Sequence, residues 1–230
     1  MKDDILTYRQ MCDNENCQTI QRGMNYQLGR NYSILLMSQR SNALYRDKIY
    51  EDGITIEYEG HDAPRSSTIP DPKYVDQPEF TPNGRLTQNG MFIQAVRSYK
   101  KSGKFEVVRI YEKIFSGVWS DRGFFKLIDY KTVSDGKRNV FRFILQAIEI
   151  EVPDANYGIR SVPKRSRIIP TEIKKIVWER DKGKCVICGA KDELHFDHDI
   201  PYSKGGTSIT AENVKILCAR HNIQKSDNIE

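Results

Sequence analysis

Two short spacings near the C-terminus constrain this chain more than anything else in it. Cys185-Val186-Ile187-Cys188 sets two thiols at the ends of one tight turn, and Cys218-Ala219-Arg220-His221 repeats the spacing with a thiol and an imidazole. Thiolate and imidazole ligands spaced this way suit tetrahedral zinc, and four protein ligands leave the ion no open position. A closed site is structural, so Zn2+ on Cys185, Cys188, Cys218 and His221 is expected to hold together a small module. The chain has five cysteines. That odd number, in a chain this long with nothing directing it out of the cytosol, favours metal ligation over a disulfide framework. Cys12 and Cys17, without companion ligands, read as free thiols, and the expected location is cytoplasmic.

The residues between the knuckles carry reaction chemistry. Leu194-His195-Phe196-Asp197-His198 reads as a short strand, and Pro201 and Gly205-Gly206 mark a loop after it. Asp197 beside His198 pairs a carboxylate with an imidazole. A hydrated divalent ion takes hard oxygen ligands, which Asp197 and Asn222 offer. A histidine near such an ion is suited to take a proton from an attacking water. Phosphodiester hydrolysis needs both: a base for the nucleophile and a cation for the charge that builds on phosphate. His195 reads as structural. Lys225 reads equally as a phosphate contact or a solvated lysine.

The ordered string CxxC, then L-x-x-D-H-x-x-P-x-x-x-G-G, then N-V-x-x-L-C-x-x-H-N-x-x-K resembles the HNH nuclease family, whose active site has the ββα-metal fold. The resemblance covers residues from about 170 to 227. It implies that His198 is the general base and Asp197 a metal ligand. It also implies that Asn213 braces the loop carrying the base. Since His221 takes the last zinc position, Asn222 falls on the catalytic-metal position, an H-N-N variant. The alternative, with His221 on the catalytic ion, leaves zinc three protein ligands. The catalytic ion implied is Mg2+, Mn2+ or another divalent metal.

Further upstream the chain has a different character. A helix-like stretch covers Ile5 to Met11, and Tyr32 to Met37 reads as a buried strand. Thr55 to Tyr58 alternates like a strand, and Gly90 to Lys100 has helical spacing. Phe105–Tyr111, Gly123–Ile128 and Val140–Leu145 are three more strand candidates. Ser116-Gly117, Asp121-Arg122-Gly123 and Asp135-Gly136 read as the turns separating them. Many short strands with few helices predict a β-rich barrel or sandwich for residues 30–150. Pro153, Pro163 and Pro170 punctuate a linker containing Lys164, Arg165 and Arg167, after which Thr171 is placed to cap a helix. No internal repeat or low-complexity tract is evident.

The stretches 32–37, 43–47, 52–53, 58–60, 107–119 and 124–129 resemble a prokaryotic SRA-type (YDG) domain. That family is a PUA-like curved β-barrel that binds DNA containing a modified cytosine and flips the base into a pocket. The family triplet is displaced: Tyr111-Glu112-Lys113 stands in its usual place, and Tyr50-Glu51-Asp52-Gly53 lies elsewhere. A flipped base needs flat aromatic faces and a carboxylate for its amino group. The resemblance puts Tyr45 and Tyr58 on those faces and Asp47 on the amino group.

The expected fold is therefore α+β. A helical extension (1–30), an SRA-like DNA-recognition domain (31–152), a linker (153–169) and a zinc-stabilised HNH domain (170–230) make up its 230 residues. Lys plus Arg number 36 against 31 Asp plus Glu, a net +5 that permits DNA binding through local patches. Arg97, Lys100, Lys101 and Lys104 form one such group. No run of about 18 apolar residues exists, so a membrane partner is not expected. The expected partner is double-stranded DNA with 5-methylcytosine or a relative. One active site cuts one strand, so double-strand cleavage needs a homodimer or two binding events. Two rivals remain at this level: an HNH endonuclease reading an unmodified sequence, and a catalytically silent zinc-stabilised DNA-binding protein.

Overall fold

The computed structural model describes residues 3–20, 22–28, 31–151, 158–161, 169–200 and 206–225. Basic residues 164, 165 and 167 of the linker, and the loop residues 201–205, lie outside them.

One large sheet runs through both halves of the chain. Its main path joins β11 (Val214–Cys218), β10 (Leu194–His198), β1 (Asp3–Leu6), β7 (Val118–Ser134), β6 (Val107–Phe115), β3 (Ser33–Met37) and β2 (Met24–Asn25). A branch from β7 adds β8 (Asn139–Glu151), which pairs with β5 (Thr55–Glu59) and β9 (Gly158–Ser161); β5 pairs in turn with β4 (Lys48–Ile49). β3 lies parallel to β6, and the other pairings are antiparallel.

The strands from β2 to β8 wrap around a shared interior. Met24, Leu35, Met37, Ile56, Tyr58, Val108, Ile110, Phe125, Leu127, Phe143 and Leu145 meet in one buried cluster, which α2 (Gln88–Ser102) closes with Phe92, Ile93 and Val96. Thr87 caps α2 at its start, and Gly103 ends it in the left-handed conformation, φ +73°. A second core belongs to the C-terminal module: Val177 of α3 (Thr171–Arg180) packs on Leu194, Phe196, Val214, Ile216 and Leu217 of the β10–β11 hairpin. A third lies under α1 (Tyr8–Asn14), where Met11 and Cys12 meet Ile34, Tyr111 and Trp119.

Three features depart from the sequence reading. The stretch Ile5 to Met11 is not one helix: Asp3–Leu6 is a strand, and α1 starts after the Thr7 cap. That strand sits between the halves, with Asp4 opposite His195 and Ile5 opposite both Leu194 and Ser120. Asp121-Arg122-Gly123 is not a turn but the middle of β7. The register shifts there against Arg109 and Tyr111, and Gly123 takes φ +79°. A bulge thus uses the same residues that would make a turn. Finally, Thr171 does not cap α3. Pro170 holds that position, and the Thr171 hydroxyl lies instead within hydrogen-bond reach of Gln39 Oε1 (2.7 Å) and the buried carboxylate of Glu112.

Glu112 and Arg122 are fully buried and paired at 2.6 Å, and Arg122 also donates to the carbonyl of Ile169 (3.2 Å). Lys174 of α3, equally buried, donates to Ser120 Oγ at 2.7 Å. Charges removed from water this completely need such partners. Together with β1, they make the junction between barrel and module a packed, hydrogen-bonded seam.

Candidate active site and metal centre

The knuckles converge. One ligand atom from each of Cys185, Cys188, Cys218 and His221 lies within 4.8 Å of the others. Cys188 Sγ and Cys218 Sγ are 3.8 Å apart, and His221 Nδ1 is 3.4 Å from Cys185 Sγ and 3.3 Å from Cys218 Sγ. A tetrahedral zinc with sulfur at about 2.3 Å and nitrogen at about 2.0 Å gives edges of about 3.8 and 3.5 Å. The donor set therefore fits zinc, with His221 binding through Nδ1. Burial opposes a thiolate at Cys185, but the amides of Cys188, Cys218 and Ile187 outweigh it and bring its pKa down to about 6. The turn is built locally: Gly189 takes φ +76° and its N–H donates to Cys185 O at 2.8 Å.

The ββα unit is β10, β11 and α4 (Ala219–Lys225), and α3 braces it from behind. Arg180 at the end of α3 donates to the carbonyls of Ala211 (2.7 Å) and Val214 (2.6 Å), while Asp181 accepts the Ile216 N–H (2.9 Å).

His198 ends β10, and its Nε2 meets Ser208 Oγ at 2.8 Å. Asn213 closes the loop that follows: its Oδ1 accepts from Ile200 N (2.7 Å), and its Nδ2 donates to the carbonyls of Ile200 (3.2 Å) and Thr207 (2.9 Å). Its own carbonyl accepts the Asp199 N–H at 2.8 Å. Gly206 approaches Ile200 so closely that a Cβ on it would fall 1.8 Å from Ile200 O.

Asp197 and His198, adjacent in sequence, reach different elements. Asp197 Oδ2 is paired at 2.5 Å with the buried ammonium of Lys225, which also donates to the His198 carbonyl. Lys225 is thus neither solvated nor remote: it places a cation at the proposed metal-binding carboxylate. Asn222 sits one turn earlier on α4 and, among the described residues, makes no hydrogen bond to Asp197 or His198. His195 lies away from this site, its Nδ1 bonded to Asp4 at 2.6 Å across β1 and β10.

Ser208 was not evident from the sequence, since a serine in a polar loop carries no spacing signal. It is 4% exposed, so its hydroxyl faces the ring rather than water. Losing a group that orients a catalytic ligand or base typically costs 10- to 100-fold. Ser208→Ala is expected to lower kcat for DNA cleavage by about ten-fold with little change in KM, and Ser208→Thr to restore it. Steady-state kinetics on the two variants check this.

Two of the residues matched to a base pocket, Tyr45 and Tyr58, meet at His61. Asp47 accepts the N–H groups of Glu59 and Ser38, both at 3.1 Å. Tyr58 is 1% exposed and belongs to the barrel core. The Tyr45 ring stacks on His61. Burial pushes the Asp47 pKa up to about 7, against the lowering pull of those two amides. A folded-state value above the unfolded one means that the protonated carboxyl's contribution is complete below about pH 4 and is lost as pH rises through about 7. The melting temperature of the wild type relative to Asp47→Asn is therefore expected to fall from about pH 5 to about pH 8, which a thermal-melt series measures.

Of the basic group near α2, Arg97 is paired with Glu79 (2.6 Å) and Lys100 with Asp129 (2.6 Å). Among the described residues no helix is long and apolar enough to cross a membrane.

The segment from the first zinc-type knuckle through α4 matches the family model described as HNH endonuclease, over residues 185–228. These residues form an HNH domain. Among solved structures the chain is similar to the SUVH5 SRA domain in complex with hemimethylated CG DNA. That likeness has 18% identity and a TM-score of 0.44, and covers 66% of this chain and 92% of that one. It is also similar to the modification-dependent TagI restriction endonuclease, at 15% identity and a TM-score of 0.41, over 97% of this chain and 76% of that one. A third neighbour is Arabidopsis thaliana SUVH6 bound to SAM, at 16% identity and a TM-score of 0.42, over 75% of this chain and 28% of that one. No curated protein matches the chain.

Proposed function

We propose that the chain is a DNA endonuclease: the HNH domain hydrolyses a phosphodiester bond, and the barrel selects DNA carrying 5-methylcytosine or a relative by base flipping. The nuclease half is supported by His198, held through Nε2 by Ser208 at the end of the hairpin that the HNH segment contains. The reader half is supported by the sequence resemblance to SRA-type domains and by the meeting of Tyr45 and Tyr58 at His61.

In this reading His198 takes the proton of the attacking water. A general base is oriented by a hydrogen bond to its ring, a role that the Ser208 hydroxyl at Nε2 is placed to serve. Asn213 keeps the loop after His198 closed, so the imidazole approaches the phosphate from one direction. Asp197 and Asn222 would hold a divalent ion, Mg2+ or Mn2+, whose charge offsets that on the phosphate and departing oxygen. Asp197 Oδ2 is engaged by Lys225, which would leave Oδ1 as the oxygen for the ion. Zn2+ on Cys185, Cys188, Cys218 and His221 would keep the module folded.

Equilibrium binding of the full chain in buffer without magnesium or manganese tests the reader half. Duplexes differing only in one cytosine are compared, as cytosine and as 5-methylcytosine. Tighter binding of the modified duplex is expected, and a gap below about threefold, under the roughly 1–3 kcal/mol typical of one discriminated base pair, would leave an unmodified-sequence reader.

A further inference from the structure

The surroundings of Tyr45 give the barrel a feature that no tyrosine spacing reveals. The Tyr45 ring lies nearly parallel to the His61 imidazole, with centroids 5.1 Å apart and planes 10° from each other. Both residues are partly exposed, whereas the Tyr58 ring is sealed in the core cluster with Phe92 and Phe143. Tyr58 backs His61 from the core side, the two rings tilted 34° with centroids 6.3 Å apart, and its hydroxyl meets His61 Nε2 at 3.1 Å.

We propose that Tyr45 and His61 are the two faces that grip an extruded base, with Tyr45 moving away from His61 to admit it. The proposal rests on the base-reading function above and replaces Tyr58 by His61 as the second face.

One face is fixed and the other can move. His61 is anchored on both sides of its backbone by the buried Asn89 of α2, its N–H donating to Oδ1 and its carbonyl accepting from Nδ2, each at 2.8 Å. Gly23 gives the imidazole room, because a Cβ there would lie 2.7 Å from His61 Nε2 and 2.9 Å from the Tyr58 hydroxyl. Burial pushes the His61 pKa down to about 4, so the ring is a neutral flat surface at neutral pH. Tyr45, by contrast, sits in the irregular connection between β3 and β4. A half-exposed latch holds it: Lys73 Nζ lies 4.2 Å from its ring centroid, donates to Leu44 O at 2.7 Å and pairs with Asp62 at 2.9 Å. A base stacked between two rings needs them about 7 Å apart, two layers of about 3.4 Å. Tyr45 must therefore swing outward, breaking one cation–π contact, one carbonyl bond and the contact of its hydroxyl with the Asp62 backbone, and it gains a base face in place of an imidazole.

The test uses the full chain without magnesium or manganese and a 5-methylcytosine duplex with 2-aminopurine beside the modified base, whose emission rises when its stacked neighbour leaves. A stacked face is worth about 5- to 150-fold in affinity. His61→Ala is expected to weaken binding of the modified duplex by at least about fivefold and to lower the emission rise. His61→Phe is expected to restore both, because it supplies a flat face without the hydrogen bond to Tyr58. Lys73→Met, which frees the latch, is expected to bind as tightly as the wild type or tighter. Wild-type binding by His61→Ala, or binding by His61→Phe as weak as that of a folded His61→Ala, would overturn the assignment alone. Absence of any emission rise in the wild type would overturn the base-flipping reading, and this proposal with it.

Discussion

His198→Ala is expected to leave a folded, zinc-loaded protein that binds DNA and does not cut it. A general base contributes about 10²- to 10⁴-fold to a rate, and no other imidazole is placed to replace this one. His195 is bonded to Asp4 on the far strand, His221 has its Nδ1 among the cysteine sulfurs, and His61 belongs to the barrel. The substitution should not unfold the module. The His198 carbonyl still accepts from Lys225, and Asn213 still closes the following loop through main-chain atoms of Ile200 and Thr207. The experiment compares cleavage rate, zinc content and DNA affinity of variant and wild type. A loss of at least about a hundredfold in rate, with the other two unchanged, is the expected result. Cleavage within a few-fold of wild type would remove His198 from the role of base.

The second large effect is zinc removal. Structural zinc sites contribute on the order of 10–16 kcal/mol near neutral pH, comparable to the whole stability of a small domain. Two of the three ligand sulfurs, those of Cys185 and Cys218, belong to members of the module's apolar core. Losing the ion therefore leaves thiols to repel or oxidise inside the packing as well as freeing both knuckles. Chelation, or Cys185→Ser, is expected to unfold the module and abolish cleavage while the barrel, with its separate core, stays folded and still binds DNA. The two tryptophans report the halves separately. Trp178 packs against the module core and over Gly183, whereas Trp119 lies in the cluster under α1. In a Trp119→Phe background the Trp178 emission should shift to the red on chelation. Unchanged emission after zinc is fully removed would contradict a structural ion.

What could be read in the sequence was local. A CxxC turn, the alternation of β5 and the spacing of α2 are each encoded within a few residues, and they point to the right elements. The HNH constellation was legible for the same reason: Asp197, His198, Asn213 and the knuckles sit in one ordered string. What was missed depends on distant partners. Four residues, Asp3–Leu6, become a strand only because β7 and β10 flank them, and nothing in their own pattern announces a neighbour as distant as His195. The Asp121-Arg122-Gly123 bulge shares its residues with a turn, and only the long β6–β7 pairing decides between them. The Thr171 hydroxyl was drawn from its capping position by a buried carboxylate on another strand. Ser208, Lys225 and His61 act through contacts that polar loops and helix ends conceal. At the pocket, family resemblance could match a tyrosine to a position but could not show that the Tyr58 ring turns into the core.

The central claim, a nuclease licensed by a modified base, is tested most directly by cleavage with magnesium or manganese of matched duplexes carrying cytosine, 5-methylcytosine or 5-hydroxymethylcytosine. Cutting confined to modified duplexes is the predicted result. Equal cutting of all three would contradict the reader, and no cutting of any by folded, zinc-loaded protein would contradict the nuclease.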